Sequence, residues 1–390
     1  MIEIISKETL FTYNLYHITK AFFPEAEIRQ CVDGEQEPLV KLTVDGGSCF
    51  SVAEVPGIGA EVQSDVCRQM RKRFVTHKVY EYLSERTGRR LAWGMLTGVR
   101  PTKLVMQKIE SGKSEKEIIE FLKEEYSVSD SKAKLAIEIA EREKRQLECL
   151  HMPEGFSLYV GIPFCPSICS YCSFSSSPAD QLDAYLDALC REIRATAKMA
   201  KGKILDTVYI GGGTPTTLSA GQLDRLLSCI EQSFSMETVQ EFTVEAGRPD
   251  SITKEKLKVI RKYPVTRISI NPQTMQQKTL DLVGRKHTVQ DVKTVFHLAR
   301  TLGFDNINMD LIAGLPGESA EDMRDTLAQI EQLGPDSLTI HSLAIKRAAK
   351  MGQDAKVNRT SKSEKTFSSE IGQMVEDGAA AARRMGLLPY

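Results

Sequence analysis

The sequence lacks any run of apolar residues that approaches the roughly 20 needed to span a bilayer. Its first residues, Met1 to Glu8, carry charge where a secretory signal peptide would have an apolar core. Neither sign of charge prevails, since 51 Lys and Arg stand against 52 Asp and Glu, so no basic field indicates a nucleic-acid partner. We therefore predict a cytoplasmic protein with no membrane span and no nucleic-acid partner.

A disulfide framework is also excluded by this prediction, because a cytoplasmic chain keeps its thiols reduced. Of the nine cysteines, six are isolated in the sequence and are typical of small, buried apolar residues. These six are Cys31, Cys49, Cys67, Cys149, Cys190 and Cys229.

The other three cysteines, Cys165, Cys169 and Cys172, have C-x3-C-x2-C spacing directly after a short apolar run. Three thiolates can hold three corners of an iron–sulfur cube, whereas a self-contained [4Fe–4S] carrier supplies four, and no fourth follows at ferredoxin spacing. The pattern favours a cluster with one iron open to an external ligand, which indicates catalysis. A zinc site is the main alternative, but zinc usually has four ligands, and the nearest upstream histidine, His151, lies in a predicted linker.

The first 150 residues predict a smaller α+β domain without a glycine-rich or metal-spaced motif. Residues 10–22 read as a helix, and residues 40–44 alternate as a half-buried strand does. The turn Asp45-Gly46-Gly47 predicts a hairpin with residues 49–52. From about Asp65 the pattern becomes helical.

From residue 151 to 390, strand-like runs alternate with amphipathic helical segments. This alternation predicts an α/β domain with a parallel sheet, either open or curled into an incomplete barrel. The helical segments cover about 182–193, 219–233, 288–302, 319–333 and 363–385. The strand-like runs are 158–160, 207–210, 242–244, 267–270, 307–312 and 337–340.

Polar residues or glycines follow these strands at their carboxyl ends, where parallel sheets usually have their catalytic and binding residues. The second strand leads into Gly211–Pro215, whose glycines let the backbone approach a ligand closely. The third ends at Glu245, the fourth is followed by Gln273, and the fifth carries Asp310. A pocket at this end is the functional interpretation, and a local salt bridge or helix cap is the alternative for each side chain.

One loop in the first domain, Leu96 to Lys103, also carries charge. Pro101 can occupy the first turn of a helix, so Arg100 and Lys103 would face an anion at that helix start. The alternative is a pair of solvated cations.

The cysteine spacing, followed by GGGTP after the next strand, resembles the radical S-adenosylmethionine (radical SAM) superfamily. From Tyr159 to about Ala344 the sequence is similar to the anaerobic coproporphyrinogen oxidase group, and two further segments resemble its HemZ-type coproporphyrinogen dehydrogenase branch. The segments shared with the group are 162–165, 211–215, 273–275, 284–288 and 310–317. Those shared with the branch are 96–103 and 244–250.

This resemblance implies a partial (β/α)6 TIM-like barrel that binds a [4Fe–4S] cluster and S-adenosyl-L-methionine (SAM). Cys165, Cys169 and Cys172 would ligate the cluster, whose open iron would chelate SAM. The residues around SAM would be Tyr159 and Tyr171 beside the cluster, Gly212, Gly213 and Thr214 at the methionine moiety, and Glu245, Gln273, Arg285, Asp310 and Ala344 around the remainder.

The resemblance further implies oxidative decarboxylation of coproporphyrinogen III in haem biosynthesis. An electron from the reduced cluster, supplied by a low-potential donor such as flavodoxin or ferredoxin, cleaves SAM into methionine and a 5′-deoxyadenosyl radical. The radical takes a hydrogen from a propionate, and loss of CO2 and one electron leaves a vinyl group. Basic side chains would bind the tetrapyrrole propionates, with Arg100, Lys103, Arg248, Lys346 and Arg347 as candidates.

Two departures from the family pattern are visible. Gly161 stands where the better-known oxidases have a histidine, and the apolar ending Gly386–Tyr390 leads us to expect a truncated chain. Relatives with the same core are thought to transfer haem, so a haem-binding chaperone is an alternative. A radical SAM enzyme that methylates haem or opens its ring is another, since the barrel motifs report the cofactor and not the substrate.

Overall fold

The structure, a computed structural model, describes residues 1–24, 26–35, 37–45, 48–55, 65–98, 100–174, 181–346, 348–357 and 364–390. It divides into two compact units, of which the first is Met1–Leu147 with Pro389–Tyr390 and the second is Glu148–Leu388. Each unit has buried apolar clusters of its own. No helix of the described residues is both long enough and apolar enough to cross a membrane.

The first unit contains a four-stranded sheet. Its strands are Ile2–Ser6 (β1), Ile28–Val32 (β2), Val40–Val44 (β3) and Ser48–Val52 (β4), in the order β2-β1-β3-β4. The predicted hairpin is present as the antiparallel pair β3 and β4, whereas β1 and β2 are parallel and were not predicted. The predicted turn glycines Gly46 and Gly47 lie outside the described residues.

Helices make up the rest of the first unit. The predicted helix over 10–22 starts with a 3₁₀ turn at Thr9–Phe11 before its α-helical part. The long helical region divides where its sequence supplies helix ends, as at Ser114, whose side chain and that of Glu117 form a capping box. The helices are Thr12–Phe22 (α1), Asp65–Thr87 (α2), Thr102–Glu110 (α3), Glu115–Tyr126 (α4) and Asp130–Leu147 (α5).

The second unit contains a six-stranded parallel sheet whose strands are adjacent in chain order. The sheet curls into a half-barrel, so the incomplete barrel is the correct one of the two predicted arrangements. Its strands are Gly155–Ile162 (β5), Ile204–Gly212 (β6), Glu241–Gly247 (β7), Arg267–Ile270 (β8), Ile307–Ala313 (β9) and Ser337–Ser342 (β10).

Several of the helices between these strands begin at sequence-encoded caps. Capping boxes at Ser219, Thr288 and Ser319 start three of them. Three short helices, Lys254–Ile260, Gln277–Leu282 and Lys350–Val357, were not predicted, because six to eight residues show too little periodicity. The helices are Leu182–Met199 (α6), Ala220–Ser233 (α7), Lys254–Ile260 (α8), Gln277–Leu282 (α9), Val289–Thr301 (α10), Ala320–Leu333 (α11), Lys350–Val357 (α12) and Glu364–Arg384 (α13).

Alternation along the strands separates an apolar face from a polar one. On β6, Val208 and Ile210 are buried in the core that the helices share, while Tyr209 between them is 37% exposed. Since successive side chains of a strand point to opposite faces, Tyr209 lies on the face away from the helices. Tyr159 on β5 and Glu245 on β7 alternate with buried apolar residues in the same way. The predicted site residues Tyr159 and Glu245 therefore lie on the polar face.

Candidate functional site

The segment from Cys165 to Cys172, here called the cysteine loop, follows β5 and is anchored by hydrogen bonds. Within it, the Cys172 amide donates to the Cys169 carbonyl at 3.0 Å. The Ser170 amide donates to the carbonyl of Val283 at 3.0 Å, and the Ser167 hydroxyl donates to that of Gly284 at 3.3 Å. One distant segment of the chain thus anchors the loop at two points.

The three thiols of the loop lie near one another. Burial raises the pKa of Cys172, and the neighbouring thiols of Cys169 and Cys165 raise it further. Among the described residues, no three His, Cys, Asp or Glu side chains converge as they would around one metal ion. The cysteines of an iron–sulfur cluster bind different irons, so a cluster does not require convergence on one point.

The glycine turn after β6 lies directly against the cysteine loop. The Gly213 amide donates to the Ile162 carbonyl and the Thr214 amide to the Phe164 carbonyl, both at 2.8 Å. The Thr214 hydroxyl is 3.3 Å from the Cys165 sulfur. A Cβ on Gly213 would lie 2.6 Å from the Phe164 oxygen and 3.0 Å from the Cys165 sulfur. Only glycine allows this approach, which fits a turn that presents its main chain to a group held by the loop.

Tyr159 and Tyr209 form a stacked pair on the polar face of the sheet, with ring centroids 5.9 Å apart and planes at 13°. The Tyr209 hydroxyl donates a hydrogen bond to the Glu245 carboxylate. Burial raises the pKa of Glu245; the bond from Tyr209 lowers it in part, and the charge of Asp310 raises it again. Sequence reasoning missed Tyr209, although its position two residues before Gly211 on one strand face was the available signal.

Gln273 and Asp310 are brought together beside β9. The Gln273 amide donates to the Asp310 carbonyl, and the Ile312 amide donates to the Gln273 carbonyl, both at 2.9 Å. Gln273 has a left-handed backbone with φ of 69°, which few residues other than glycine adopt. The Asp310 carboxylate accepts a hydrogen bond of 2.7 Å from the Asn308 amide group. Strained backbone of this kind is often found at functional sites.

Arg285 connects Tyr171 of the cysteine loop to the end of β8. Its Nη1 donates to the Tyr171 hydroxyl at 3.1 Å and its Nη2 to the Asn271 carbonyl at 2.6 Å. Arg285 is 5% exposed, yet its Nε has no hydrogen-bond partner among the described residues. Burial raises the pKa of Tyr171, and the guanidinium only partly offsets this. A buried unpaired donor is costly in isolation, which fits a site where a further polar group binds.

His287, two residues after Arg285, is a buried group that sequence reasoning did not select. It is 1% exposed, and neither ring nitrogen has a hydrogen-bond partner within the described part of the chain. Burial, followed by the charge of Arg285, lowers its pKa to about 4. The imidazole is therefore neutral near pH 7.

Ala344 is exposed, in the segment after β10, and Tyr159 on β5 is 62% exposed. The adjacent Leu343 amide donates to the Ala313 carbonyl at 2.8 Å, which fixes the start of this segment at the end of β9. The other predicted site residues named above lie in the cysteine loop, on β5 to β9 or in the segments that follow those strands.

The basic residues predicted to bind the substrate differ in their exposure and in their partners. Lys103 and Lys346 are exposed, and Arg100, also exposed, bonds to Glu143 at 3.2 Å. Arg347 lies outside the described residues. The prediction for Arg248 is wrong: it is 4% exposed and its guanidinium already binds Asp250 and Ser167. Its three guanidinium nitrogens already donate within the protein and the side chain is buried, so Arg248 is not available as a surface cation for a propionate.

Comparison with known proteins gives these features a context. The profile of the Radical SAM superfamily matches residues 159–330. The oxygen-independent coproporphyrinogen-III oxidase-like protein HemZ of Bacillus subtilis (strain 168) is 39% identical over 400 residues, covering 96% of this chain and 78% of the relative.

Two further matches cover a smaller share of this chain. The heme chaperone HemW of B. subtilis (strain 168) is 38% identical over 192 residues, 48% of this chain and 50% of HemW. Among solved structures, coproporphyrinogen III oxidase (HemN) from Escherichia coli, described as a radical SAM enzyme, matches with a TM-score of 0.54 and 27% identity. That match covers 62% of this chain and 56% of the other, so the alignments to HemW and HemN span about half of those proteins.

Proposed function

Because this chain belongs to the radical SAM superfamily and, within it, to the HemZ-like oxygen-independent coproporphyrinogen-III oxidase family, we propose that it converts propionates of coproporphyrinogen III to vinyl groups by oxidative decarboxylation. Members of the superfamily use a [4Fe–4S] cluster and SAM. The observation that carries the proposal is the contact of the glycine turn with the cysteine loop, where the Thr214 hydroxyl lies 3.3 Å from the Cys165 sulfur. It supports a site in which a loop-bound cluster and a turn-bound cofactor adjoin.

The cysteine loop supplies the ligands in this proposal. Cys165, Cys169 and Cys172 hold the cluster, and the bonds from Ser167 and Ser170 to the segment after α9 keep the loop in place. A cluster and SAM held there would supply the radical chemistry that removes a hydrogen from the substrate. The rest of the site binds, orients and excludes water.

The polar face of the half-barrel orients SAM. Gly212, Gly213 and Thr214 bind the methionine moiety, since the two glycines have no side chain and let it approach the main chain closely. The amides of Gly213 and Thr214 already donate to the Ile162 and Phe164 carbonyls and so hold the turn in place. Glu245, whose carboxylate is held by Tyr209, and Asp310, held by Asn308, provide acceptors for the remaining donors of the cofactor. Gln273, Arg285, Tyr159, Tyr171 and Ala344 complete the set that we assign to it. We further propose a cytoplasmic location, with flavodoxin or ferredoxin as electron donor.

The test is an anaerobic assay with reductant, SAM and coproporphyrinogen III. The proposal expects CO2 and a vinyl product from the native chain and from Cys229→Ala, but not from Cys169→Ala. Cys229 is a matched control, because it is a buried cysteine on α7 outside the loop. SAM cleavage without a tetrapyrrole product would contradict the substrate assignment.

A haem-binding chaperone is the second candidate, favoured by the 38% identity to HemW over half of this chain. Stoichiometric haem binding without substrate-dependent SAM cleavage would support it. A change in the mass of the bound haem would instead indicate an enzyme that methylates haem or opens its ring. The same anaerobic samples distinguish these outcomes by mass spectrometry.

A further inference from the structure

Arg248 occupies a position that the reaction proposed above does not use. It follows Gly247, the last residue of β7, whose φ of 71° turns the chain sharply. Pro249 comes next and favours an extended residue before it, and Arg248 is extended with φ of −84° and ψ of 126°. This backbone directs the side chain to the buried side of the cysteine loop, where 4% of the residue remains exposed.

One edge of the guanidinium is paired with a carboxylate. Its Nε donates to Oδ1 of Asp250 at 3.0 Å, and its Nη2 donates to Oδ2 at 2.7 Å. Such a two-point pair fixes the plane of the guanidinium as well as its position. The remaining nitrogen, Nη1, is therefore held at a defined point.

The other edge faces the cysteine loop. Nη1 donates to the carbonyl of Ser167 at 2.9 Å and to its hydroxyl at 2.8 Å, and it lies 3.8 Å from the sulfur of Cys169. Arginine stays protonated in proteins, so this is a permanent positive charge beside a predicted cluster ligand. The Asp250 carboxylate binds the opposite edge, so the guanidinium lies between that negative charge and the sulfur.

The positive charge of Arg248 at this position would affect the reduction potential of a bound cluster. One-electron reduction adds a negative charge, which a nearby positive charge stabilises, more strongly in a buried site than in water. Hydrogen bonds and charge around cluster sulfurs are known determinants of reduction potential. Removing the guanidinium should therefore make the cluster harder to reduce.

We propose that Arg248 is a positioning residue that fixes the cysteine loop through Ser167 and makes the reduction potential of the cluster more positive through its charge beside Cys169. This inference rests on the proposed function in that it requires the cluster. It does not depend on which tetrapyrrole is the substrate.

The test measures the midpoint potential of the reconstituted cluster by an anaerobic redox titration followed by electron paramagnetic resonance, with iron content determined in parallel. Arg248→Gln removes the charge and keeps donors for Ser167, so its potential should be more negative than that of the native protein. Arg248→Lys restores the charge and should shift the potential back toward the native value. A native potential in Arg248→Gln at full iron content would overturn the proposal.

A second variant covers the case in which Arg248→Gln fails to retain iron. Asp250→Asn removes the neutralising charge and leaves the guanidinium in place, so the potential should become more positive. An unchanged potential in Asp250→Asn would also overturn the proposal. No tetrapyrrole is present in these titrations, so failure of the substrate assignment leaves their outcome unaffected. A native protein that binds no cluster would instead refute the proposed function.

Discussion

At the scale of single residues, two glycines of the site differ in the space around them. A Cβ on Gly213 would lie 2.6 Å from the Phe164 oxygen, which is closer than real Cβ atoms approach. A Cβ on Gly161 would have its nearest neighbour, Cε1 of Tyr159, at 3.4 Å. Gly161 is the position at which the better-known oxidases have a histidine, so its backbone leaves room for a side chain that this protein does not have.

We expect Gly213→Ala to lose most of its cluster, because the added methyl group must displace either the Phe164 carbonyl or the Cys165 sulfur. Gly161→Ala is the matched control and should retain iron and sulfide near the native content. Both contents are measured after anaerobic reconstitution, together with visible absorption. Equal iron in the two variants would contradict the close approach described for Gly213.

Tyr209→Phe should change how SAM binding depends on pH. Burial raises the pKa of Glu245 and the Tyr209 hydrogen bond lowers it in part, so removing the hydroxyl raises that pKa further. As the pH is lowered, the carboxylate of the variant is therefore protonated at a higher pH than that of the native protein. SAM affinity should begin to fall at that higher pH. Anaerobic calorimetric titrations across pH measure this. Tyr263→Phe, which alters a tyrosine bonded to Asp224 outside the site, should follow the native curve.

At the scale of secondary structure, Arg267 connects four strands on the polar face of the half-barrel. From β8, its Nη2 donates to Asn308 of β9 at 3.1 Å and to Ser337 of β10 at 2.9 Å. Its Nη1 lies 3.6 Å from Glu241 of β7. These interactions join β8 through side chains to its neighbours β7 and β9 and, beyond β9, to β10, in addition to the backbone ladder.

Arg267→Met should lower the free energy of unfolding of the second unit by about 1 to 3 kcal/mol, the usual cost of breaking partly buried hydrogen bonds. Arg225→Met is the control, because Arg225 pairs with Asp187 at about half exposure for both side chains, and exposed pairs contribute about 0 to 1 kcal/mol. Thermal unfolding of the cluster-free protein measures both. Equal effects would mean that the Arg267 bonds contribute no more than a surface pair.

The half-barrel also shows which features could be predicted from the sequence and which could not. Strand and helix periodicity predicted the strands and long helices of the half-barrel, because each buries one face that repeats at a fixed interval. Arg248 was assigned to the substrate because charge after a strand is visible in sequence, whereas the direction of its side chain is not. That direction depends on the left-handed Gly247 and on a loop more than 70 residues earlier in the chain. Tyr209 was missed because a tyrosine within a strand is ordinarily part of the core.

At the scale of the whole molecule, the two units have separate cores. The first is built around residues such as Leu15 and Tyr80, and the second around residues such as Phe242 and Phe296. Every cysteine and cofactor residue that we assign lies in the second unit. A ligand that binds only folded protein stabilises the part that must be folded to bind it.

Scanning calorimetry of the cluster-loaded chain should therefore show two transitions, of which SAM raises only one. At free SAM of about 100 times its Kd, the second unit should gain about 2.7 kcal/mol. Leu15→Ala identifies the other transition, because truncating a buried leucine costs about 2 to 5 kcal/mol, here in the core of the first unit. In Cys169→Ala, SAM should move neither transition. A shift of both transitions by SAM, or a lowered SAM-sensitive transition in Leu15→Ala, would show that the two units unfold together.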